Sequence, residues 1–285
     1  MIKVSEVEVM NFKGAFKGMR NPLESWEKSD SCFSIATEDY DYDYDVVDKW
    51  VAFEHSKMKE GKVYSTSDTL WNNYDQWIIK NGLLRHESEA LDCAFIGPND
   101  MQLAQKLVLA GDDHSKFMRQ IFVSMDITAP LYFFKEFDTY KVGTTANSTS
   151  TMHKLATTPI TRECFSFDYE LNKLEGEKKI CFDHDCAGME YYSLFESDAE
   201  QIIHICEIYR QRYLETKDVR YWRALIQLLP SSWNQKRTWT ANYAVLRSIY
   251  FSRKTHKLQE WKDFCKEIEK LPYAKELICI EKEKT

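Results

Sequence analysis

The sequence predicts a helix-rich α/β (α+β) protein, and two features of its composition carry that prediction. Of the 285 residues, 44% are hydrophobic and 14% are aromatic, which is enough to bury a large core and excludes a disordered or fibrous chain. Glycine and proline are scarce, with 9 and 6 residues. Turn-dense all-β architectures are therefore disfavoured, and we expect helices to dominate.

The charge balance narrows the class of function. Lys and Arg number 38 against 45 Asp and Glu, a net charge of −7, so the chain lacks the basic bias typical of proteins that bind nucleic acid polymers or anionic membranes. No stretch approaches the ~18 consecutive apolar residues of a spanning helix, and the N-terminus does not resemble a signal peptide. We expect a cytoplasmic protein with no membrane or nucleic acid partner, for which a small anionic ligand stays possible.

Hydrophobic periodicity predicts the elements in order. Alternating apolar and polar residues predict strands, and apolar residues three and four apart predict helices. In chain order the prediction is a strand at 1–12, a helix at 99–111, a strand at 120–127, and helices at 131–141, 199–216, 218–229, 238–254 and 257–271. The helix at 99–111 has a candidate Asx cap at Asn99 or Asp100 and a stop at Gly111.

A polar segment interrupts this pattern at residues 143–151, which read Gly-Thr-Thr-Ala-Asn-Ser-Thr-Ser-Thr. It has no apolar periodicity and predicts a loop. Hydroxyl and backbone N–H groups at this density can bind an anion without arginine, although the composition also fits a simple polar linker. The aromatic residues before it fit a hydrophobic core or a base-stacking face, and their helical spacing favours the core. They are Tyr132, Phe133, Phe134, Phe137 and Tyr140.

Two further segments each have a plain interpretation and an alternative. The run 38–45 alternates acidic residues with tyrosine and predicts a solvated loop, with charge-specific docking as the alternative. The eight cysteines are scattered, which predicts reduced thiols. Cys181, His184 and Cys186 could bind zinc, but they lack Cys-x-x-Cys spacing and an evident second ligand pair. We therefore expect a surface turn and no metal there.

The C-terminal third carries a pattern that points to a family. Leu229-Pro230 is followed by Trp-Thr-Ala-Asn at 239–242, by Arg253, and by Gln-Glu-Trp at 259–261. The order and spacing resemble the C-terminal signature of the flavin-dependent thymidylate synthases (ThyX-like), with one extra residue between the last Gln and Trp. The resemblance implies that the chain is a divergent member of that family.

A second block agrees with the resemblance. Pro130 follows the strand predicted at 120–127, and His114 lies sixteen residues before it, where the family has a flavin-contacting Gly-His-Glu segment. The resemblance implies the thymidylate synthase-complementing protein-like fold over 91–285, with residues 1–90 as an N-terminal extension. It also implies a homotetramer, because the family builds each site from several subunits.

The chain departs from the family at its hallmark Arg-His-Arg triplet. Counted from Pro130, the triplet falls on Thr139-Tyr140-Lys141, so that only Lys141 keeps a cation there. The hallmark Glu falls on Asn147, and the Arg-Tyr pair falls on Thr151-Met152, which removes a phosphate-binding guanidinium. Whether a flavin is bound therefore stays open.

The resemblance implies a reaction and a role for each matching residue. The family stacks FAD on the pyrimidine of dUMP and transfers a one-carbon unit from methylenetetrahydrofolate, with NADPH as reductant. Arg253 matches the catalytic arginine, whose planar fork polarises the pyrimidine carbonyls. The other implied contacts are His114, Asn242, Ser248 and Lys141 for the cofactor, and Asn147, Ser148, Thr149, Ser150, Thr151, Arg253 and Gln259 for the substrate.

Three functions fit these observations. The first is an FAD-dependent C5 methyl(ene)transferase acting on dUMP or a variant pyrimidine nucleotide. The second is a non-catalytic protein that binds or sequesters a nucleotide on the same fold, and the third is an assembly protein that keeps only the scaffold. The polar matches at His114, Asn242, Arg253 and Gln259 favour the first.

Overall fold

The computed structural model describes residues 2–35, 92–167 and 198–281, and the fold is given for these residues. The acidic run at 38–45 and the segment 181–186 with its cysteines and histidine lie outside them. Most of the predicted N-terminal extension does so as well, and its boundary at residue 90 stays a prediction.

The described chain is rich in helices and contains a small amount of sheet, which confirms the predicted fold class. The strands are β1 (Lys3–Met10), β2 (Cys32–Ile35), β3 (Asp92–Phe95), β4 (Phe122–Pro130), β5 (Thr145–Ser148) and β6 (Asn234–Asn242). The helices are α1 (Phe12–Arg20), α2 (Pro98–Ala110), α3 (Leu131–Phe137), α4 (Thr151–Lys154), α5 (Asp198–Thr216), α6 (Val219–Leu228), α7 (Tyr243–Arg253), α8 (Gln259–Glu269) and α9 (Ala274–Leu277).

The strands form two sheets. One has four strands in the order β1-β4-β6-β5, and the other pairs β2 with β3 in an antiparallel register that places Cys32 opposite Phe95. Every second side chain of β4, one of the two inner strands, is buried, including Val123, Met125 and Ile127. Successive side chains of a strand point to opposite faces, so this burial explains the alternation that predicted β4.

The chain divides into two compact units. Of the described residues, unit 1 holds 2–5, 126–139, 146–167 and 198–238, and unit 2 holds 6–35, 92–125, 140–145 and 239–281. In unit 1, α5 packs against α6. A core cluster joins this helix pair to the segment before it and consists of Leu155, Ile160, Phe165, Cys206 and Leu225.

The core of unit 2 is aromatic. Phe12 of α1 meets the rings of Tyr243 and Tyr273 edge-on, each at 5.7 Å between ring centres. Tyr243 is fully buried and donates its hydroxyl to the carbonyl oxygen of Pro272 at 2.5 Å. Burial raises the pKa of Tyr243 well above its ordinary value. The hydroxyl therefore stays protonated and acts as a structural donor.

The clearest differences from the predicted elements are two helices and one loop. The helix predicted at 238–254 begins only at Tyr243, because residues 238–242 complete the strand β6. The helix predicted at 131–141 ends at Phe137. The loop predicted at 143–151 contains the strand β5 and the start of α4. All four residues of β5 are exposed, so this strand has no hydrophobic pattern by which the sequence could reveal it.

The predicted Asx cap of α2 is also wrong. No side chain of its own N-terminal segment caps this helix. Instead Asp30 accepts the backbone N–H groups of Asn99 and Asp100, at 2.8 and 3.1 Å. The carboxylate of Asp100 is fully buried and pairs with Arg20. The acidic side chain that resembled a cap is therefore part of a buried ion pair.

Glu207 of α5 anchors the segment before it. Its carboxylate accepts from Arg210 at 2.7 and 2.5 Å and from the backbone N–H of Ile160 at 2.8 Å. The hydrogen bond from Arg210 lowers the pKa of Glu207 below its ordinary value of 4.5. A carboxyl with a depressed folded pKa stabilises the fold above its unfolded pKa, and this stabilisation is lost as the pH falls through the folded pKa.

We expect Glu207→Gln to lower the free energy of unfolding at pH 7 by about 1.5–3 kcal/mol, because charge-assisted hydrogen bonds are lost. The difference from wild type should shrink below about pH 4.5, where the unfolded carboxyl is more than half protonated. Urea denaturation at pH 7 and in the acid range measures both effects. Glu215→Gln, in an exposed pair with Arg212 at 3.5 Å, is the control, and a difference that does not change with pH would contradict the prediction.

Candidate functional site

Arg253 is the last residue of α7, and its guanidinium lies against two aromatic rings of unit 2. Its central carbon is 4.6 Å from the centre of the Trp261 ring and 5.6 Å from that of Tyr140. Its Nε donates to the Tyr140 hydroxyl at 2.9 Å. Trp261 is fully buried, whereas Arg253 is half-buried. The cation therefore rests on a rigid apolar surface, a contact worth ~0.5–2 kcal/mol in proteins.

The Trp261 ring is held by aromatic neighbours on several sides. Tyr140, His256 and Phe264 meet it at 5.9, 6.2 and 6.3 Å between ring centres, with interplanar angles of 67°, 71° and 70°. Such edge-to-face contacts are the arrangement that aromatic pairs prefer. His256 also fixes the turn between α7 and α8, since its Nδ1 accepts the N–H of Leu258 at 3.2 Å.

The turn at 140–144 brings Tyr140 to this cluster. The Thr144 hydroxyl donates to the Tyr140 carbonyl oxygen at 2.6 Å, and Gly143 has a φ of +74°. A Cβ on Gly143 would lie 3.0 Å from Nδ2 of Asn242. Glycine is required here because the backbone is left-handed and the Asn242 amide approaches closely. At the tip of the turn Lys141 is exposed.

The four residues predicted to contact a cofactor all belong to unit 2. Asn242 is buried and caps α7, since its Oδ1 accepts the N–H of Val245 at 3.1 Å. The side chains of His114, Lys141 and Ser248 are exposed. His114 lies in the turn after α2, where its backbone N–H donates to Gly111 at 3.0 Å. A helix cap is thus the observed role of Asn242, and the cofactor contacts of all four stay predictions.

The serine and threonine residues predicted to bind substrate belong to unit 1 and form ordered structure. The N–H of Thr149 donates to the carbonyl oxygen of Lys236 at 2.8 Å, and its own carbonyl oxygen accepts from Nε2 of Gln235 at 3.0 Å. Ser150 caps α4 by accepting the N–H of His153, whose Nδ1 lies 2.7 Å from the Ser150 hydroxyl. Exposed Asn147 and Ser148 and half-buried Thr151 complete the set. This segment is an edge strand and a capped turn, and its binding role stays a prediction.

Sequence reasoning did not find the residues that brace this segment. Arg237 donates from Nε to Gln235 at 2.9 Å and from a terminal nitrogen to Asp138 at 2.5 Å. Its guanidinium also stacks on Phe134 at 3.9 Å. Gln235, in turn, bonds Thr149. Gln235 is two positions from Arg237, but Asp138 and Thr149 lie 99 and 86 positions from their partners in the chain, and no sequence pattern links them.

Two further predictions have different outcomes. Phe133, Phe134 and Phe137 are buried, which confirms the core interpretation for these three members of the aromatic cluster. Gln259 is exposed and donates to Asp263 at 2.8 Å within α8. Its predicted contact with substrate stays a prediction.

In the described ranges, no group of three or more His, Cys, Asp or Glu side chains could hold a metal ion. None of the helices described is long and apolar enough to cross a membrane. The cysteine side chains that the structure describes are free thiols, at Cys164, Cys206, Cys265 and Cys279.

No protein-family model and no curated protein matches the chain. Among solved structures it is similar to Thymidylate Synthase X (ThyX) from Helicobacter pylori with FAD and dUMP, at 13% identity and a TM-score of 0.49, over 98% of this chain and 97% of that one. It is also similar to the UMP/dUMP methylase PolB from Streptomyces cacaoi bound with 5-Br dUMP, at 12% identity and a TM-score of 0.47, over 96% and 91%. Likeness at this level assigns no activity to this chain.

Proposed function

We propose that the chain is a pyrimidine-nucleotide C5 methyl(ene)transferase of the flavin-dependent thymidylate synthase type, acting on dUMP or a variant nucleotide. The observation that carries the proposal is the placement of Arg253 on Trp261 and Tyr140 in unit 2. The signature at 229–261 supports the same role, because Arg253 is the position that matches the family's base-polarising arginine.

The chemistry of a guanidinium suits this role. Arginine only donates hydrogen bonds, so it complements the carbonyl oxygens of a uracil ring. Two parallel N–H donors withdraw electron density from such a carbonyl and favour attack on the ring. The aromatic contacts of Arg253 restrict its side chain before a ligand arrives. Less conformational entropy is then lost on binding, which strengthens it.

FAD is the cofactor that this proposal requires, together with methylenetetrahydrofolate and NADPH. When bound, a flavin supplies the hydride of the reaction. His114, Lys141 and Ser248 would hold it, because each is exposed and can donate to a phosphate or a ring carbonyl. Asn242 fits less well, since its carbonyl oxygen already caps α7. The residues present therefore fit a flavin in part.

A non-catalytic nucleotide-binding protein is the second candidate, and Tyr140 favours it. Thr139 and Tyr140 stand where the family has an arginine and a histidine that serve flavin binding, and the Tyr140 hydroxyl bonds Arg253. The absorbance spectrum of the purified protein with added FAD separates the two candidates. A bound flavin band supports the transferase, and a protein that binds dUMP but gains no such band is the nucleotide-binding protein.

We expect Arg253→Ala to weaken dUMP binding about ten- to hundredfold, since charge-assisted hydrogen bonds worth ~1.5–3 kcal/mol are lost. The dUMP affinity of Arg253→Lys should lie between those of wild type and Arg253→Ala, because lysine keeps the charge but lacks the planar fork. Calorimetry with uridine, deoxyuridine and cytidine phosphates measures the effect. Arg223→Ala, at an exposed arginine of α6, is the control. Wild-type protein that binds no pyrimidine nucleotide, or an Arg253→Ala variant that binds it unchanged, would overturn the proposal.

A further inference from the structure

We infer that Tyr140 is a positioning residue whose hydroxyl sets the direction of the Arg253 guanidinium and so controls nucleotide affinity. This inference rests on the proposed function, since it assumes that Arg253 contacts the nucleotide. It concerns a position at which the chain departs from the family triplet. Tyr140, which replaces a triplet residue, then positions Arg253, which matches the family signature.

The contact geometry supports a directional role. Nε–H lies in the plane of the guanidinium, so a hydrogen bond from Nε restricts the direction of the terminal nitrogens within that plane. Nε of Arg253 donates to the Tyr140 hydroxyl at 2.9 Å, within the normal range for such a bond. Trp261 supports the face of the same group at 4.6 Å. Stacking restrains the plane of the guanidinium, and the bond to Tyr140 restrains its direction within that plane.

Two contacts fix the turn at 140–144, which begins with Tyr140. Its carbonyl oxygen accepts from the Thr144 hydroxyl at 2.6 Å, and Gly143 lies against Asn242. Asn242 caps the start of α7, while Arg253 is the last of its 11 residues, and a helix of that length spans ~16 Å. The segment 140–143 therefore contacts both ends of one helix, which prevents Tyr140 from swinging away from Arg253.

The role of the hydroxyl can be separated from that of the ring. The ring of Tyr140 packs edge-on against Trp261 at 5.9 Å, and phenylalanine would keep this contact. The hydroxyl bonds Arg253. Tyr140→Phe thus removes the directional hydrogen bond and leaves the packing, which makes it a specific probe of positioning.

We expect Tyr140→Phe to weaken dUMP binding about five- to tenfold, the value of one neutral-acceptor hydrogen bond, with only a small fall in the urea midpoint of unfolding because the ring packing is kept. In the Arg253→Ala background the same substitution should change affinity less than about twofold, because the two residues act as one unit. Tyr221→Phe is the matched control: Tyr221 is half-buried in α6 and its ring lies 6.2 Å from that of Tyr209. It should leave affinity unchanged.

A second measurement tests the hydrogen bond without any nucleotide. In ¹⁵N NMR spectra of the ligand-free protein, the Nε–H proton of Arg253 should exchange slowly with water in the wild type and faster in Tyr140→Phe. If wild type binds dUMP and Arg253→Ala weakens it but Tyr140→Phe does not, the inference is overturned and the proposed function stands. An equal effect of Tyr140→Phe with and without Arg253 would also overturn it. Wild type that binds no nucleotide would overturn both.

Discussion

Asp100→Asn is expected to lower the free energy of unfolding by about 3–5 kcal/mol, because it leaves a buried cation without its partner. Asp100 accepts from Nε of Arg20 at 2.5 Å, and the two side chains are 1% and 6% exposed. The remaining nitrogens of Arg20 donate to the carbonyl oxygens of Ser25 and Lys28 at 3.3 and 3.1 Å. These neutral acceptors cannot replace the lost negative charge.

Urea denaturation of the full chain at pH 7 measures this effect. Glu267→Gln is the control, because its pair with Lys270 at 2.7 Å lies at the surface and such pairs contribute ~0.2–1 kcal/mol. Adding Arg20→Met to Asp100→Asn should restore part of the stability, since the unpaired cation is then removed. A loss below about 1 kcal/mol in the single variant would show that the pair is not a significant contributor.

Asp100 also shows where sequence reasoning stops. The amphipathic pattern predicted α2 to within one residue at each end, because the pattern arises from burial on one face of the helix. The same residues could not reveal that Asp100 pairs with Arg20, which lies 80 positions earlier in the chain. A carboxylate in the first turn of a helix resembles a cap, and only the tertiary structure distinguishes a cap from a buried ion pair.

The strand β6 was missed for a different reason. Trp239 and Ala241 are buried while Thr238 is exposed and Thr240 half-buried, so the period of two that marks a strand was present in the sequence. The helical periodicity of α7 begins directly afterwards, at Tyr243, and the predicted helix included residues 238–242 as well. By contrast β5 carried no signal, since its four side chains are all exposed.

For the candidate site, the sequence supplied Arg253 and the structure supplied what surrounds it. Family resemblance can identify a residue that matches a motif, as it did for Arg253. Tyr140 was recognised as a replaced triplet residue and as a member of the aromatic cluster, but not as a partner of Arg253, because a separation of 113 positions hides their hydrogen bond. The meaning of a residue that departs from a motif, such as Tyr140, therefore depends on the side chain that it contacts in the structure, here Arg253.

Trp261→Ala is the second substitution with a large expected effect, about 3–5 kcal/mol in the free energy of unfolding. The side chain is fully buried, and its removal leaves a cavity between Tyr140, His256 and Phe264. It also removes the surface that supports Arg253, so dUMP binding should fall together with stability. Trp26→Ala is the control, since that tryptophan is 46% exposed and surface substitutions usually change stability by about 0.5 kcal/mol or less.

Trp261→Phe separates these two consequences. Phenylalanine fills most of the cavity, so the loss of stability should be well below that of Trp261→Ala. Its ring attracts a guanidinium less strongly than indole does, so dUMP affinity should still fall several-fold. Urea denaturation and calorimetry on the same preparation give both values. If Trp261→Phe loses stability but binds dUMP like wild type, Trp261 serves only the core and does not contribute to the placement of Arg253.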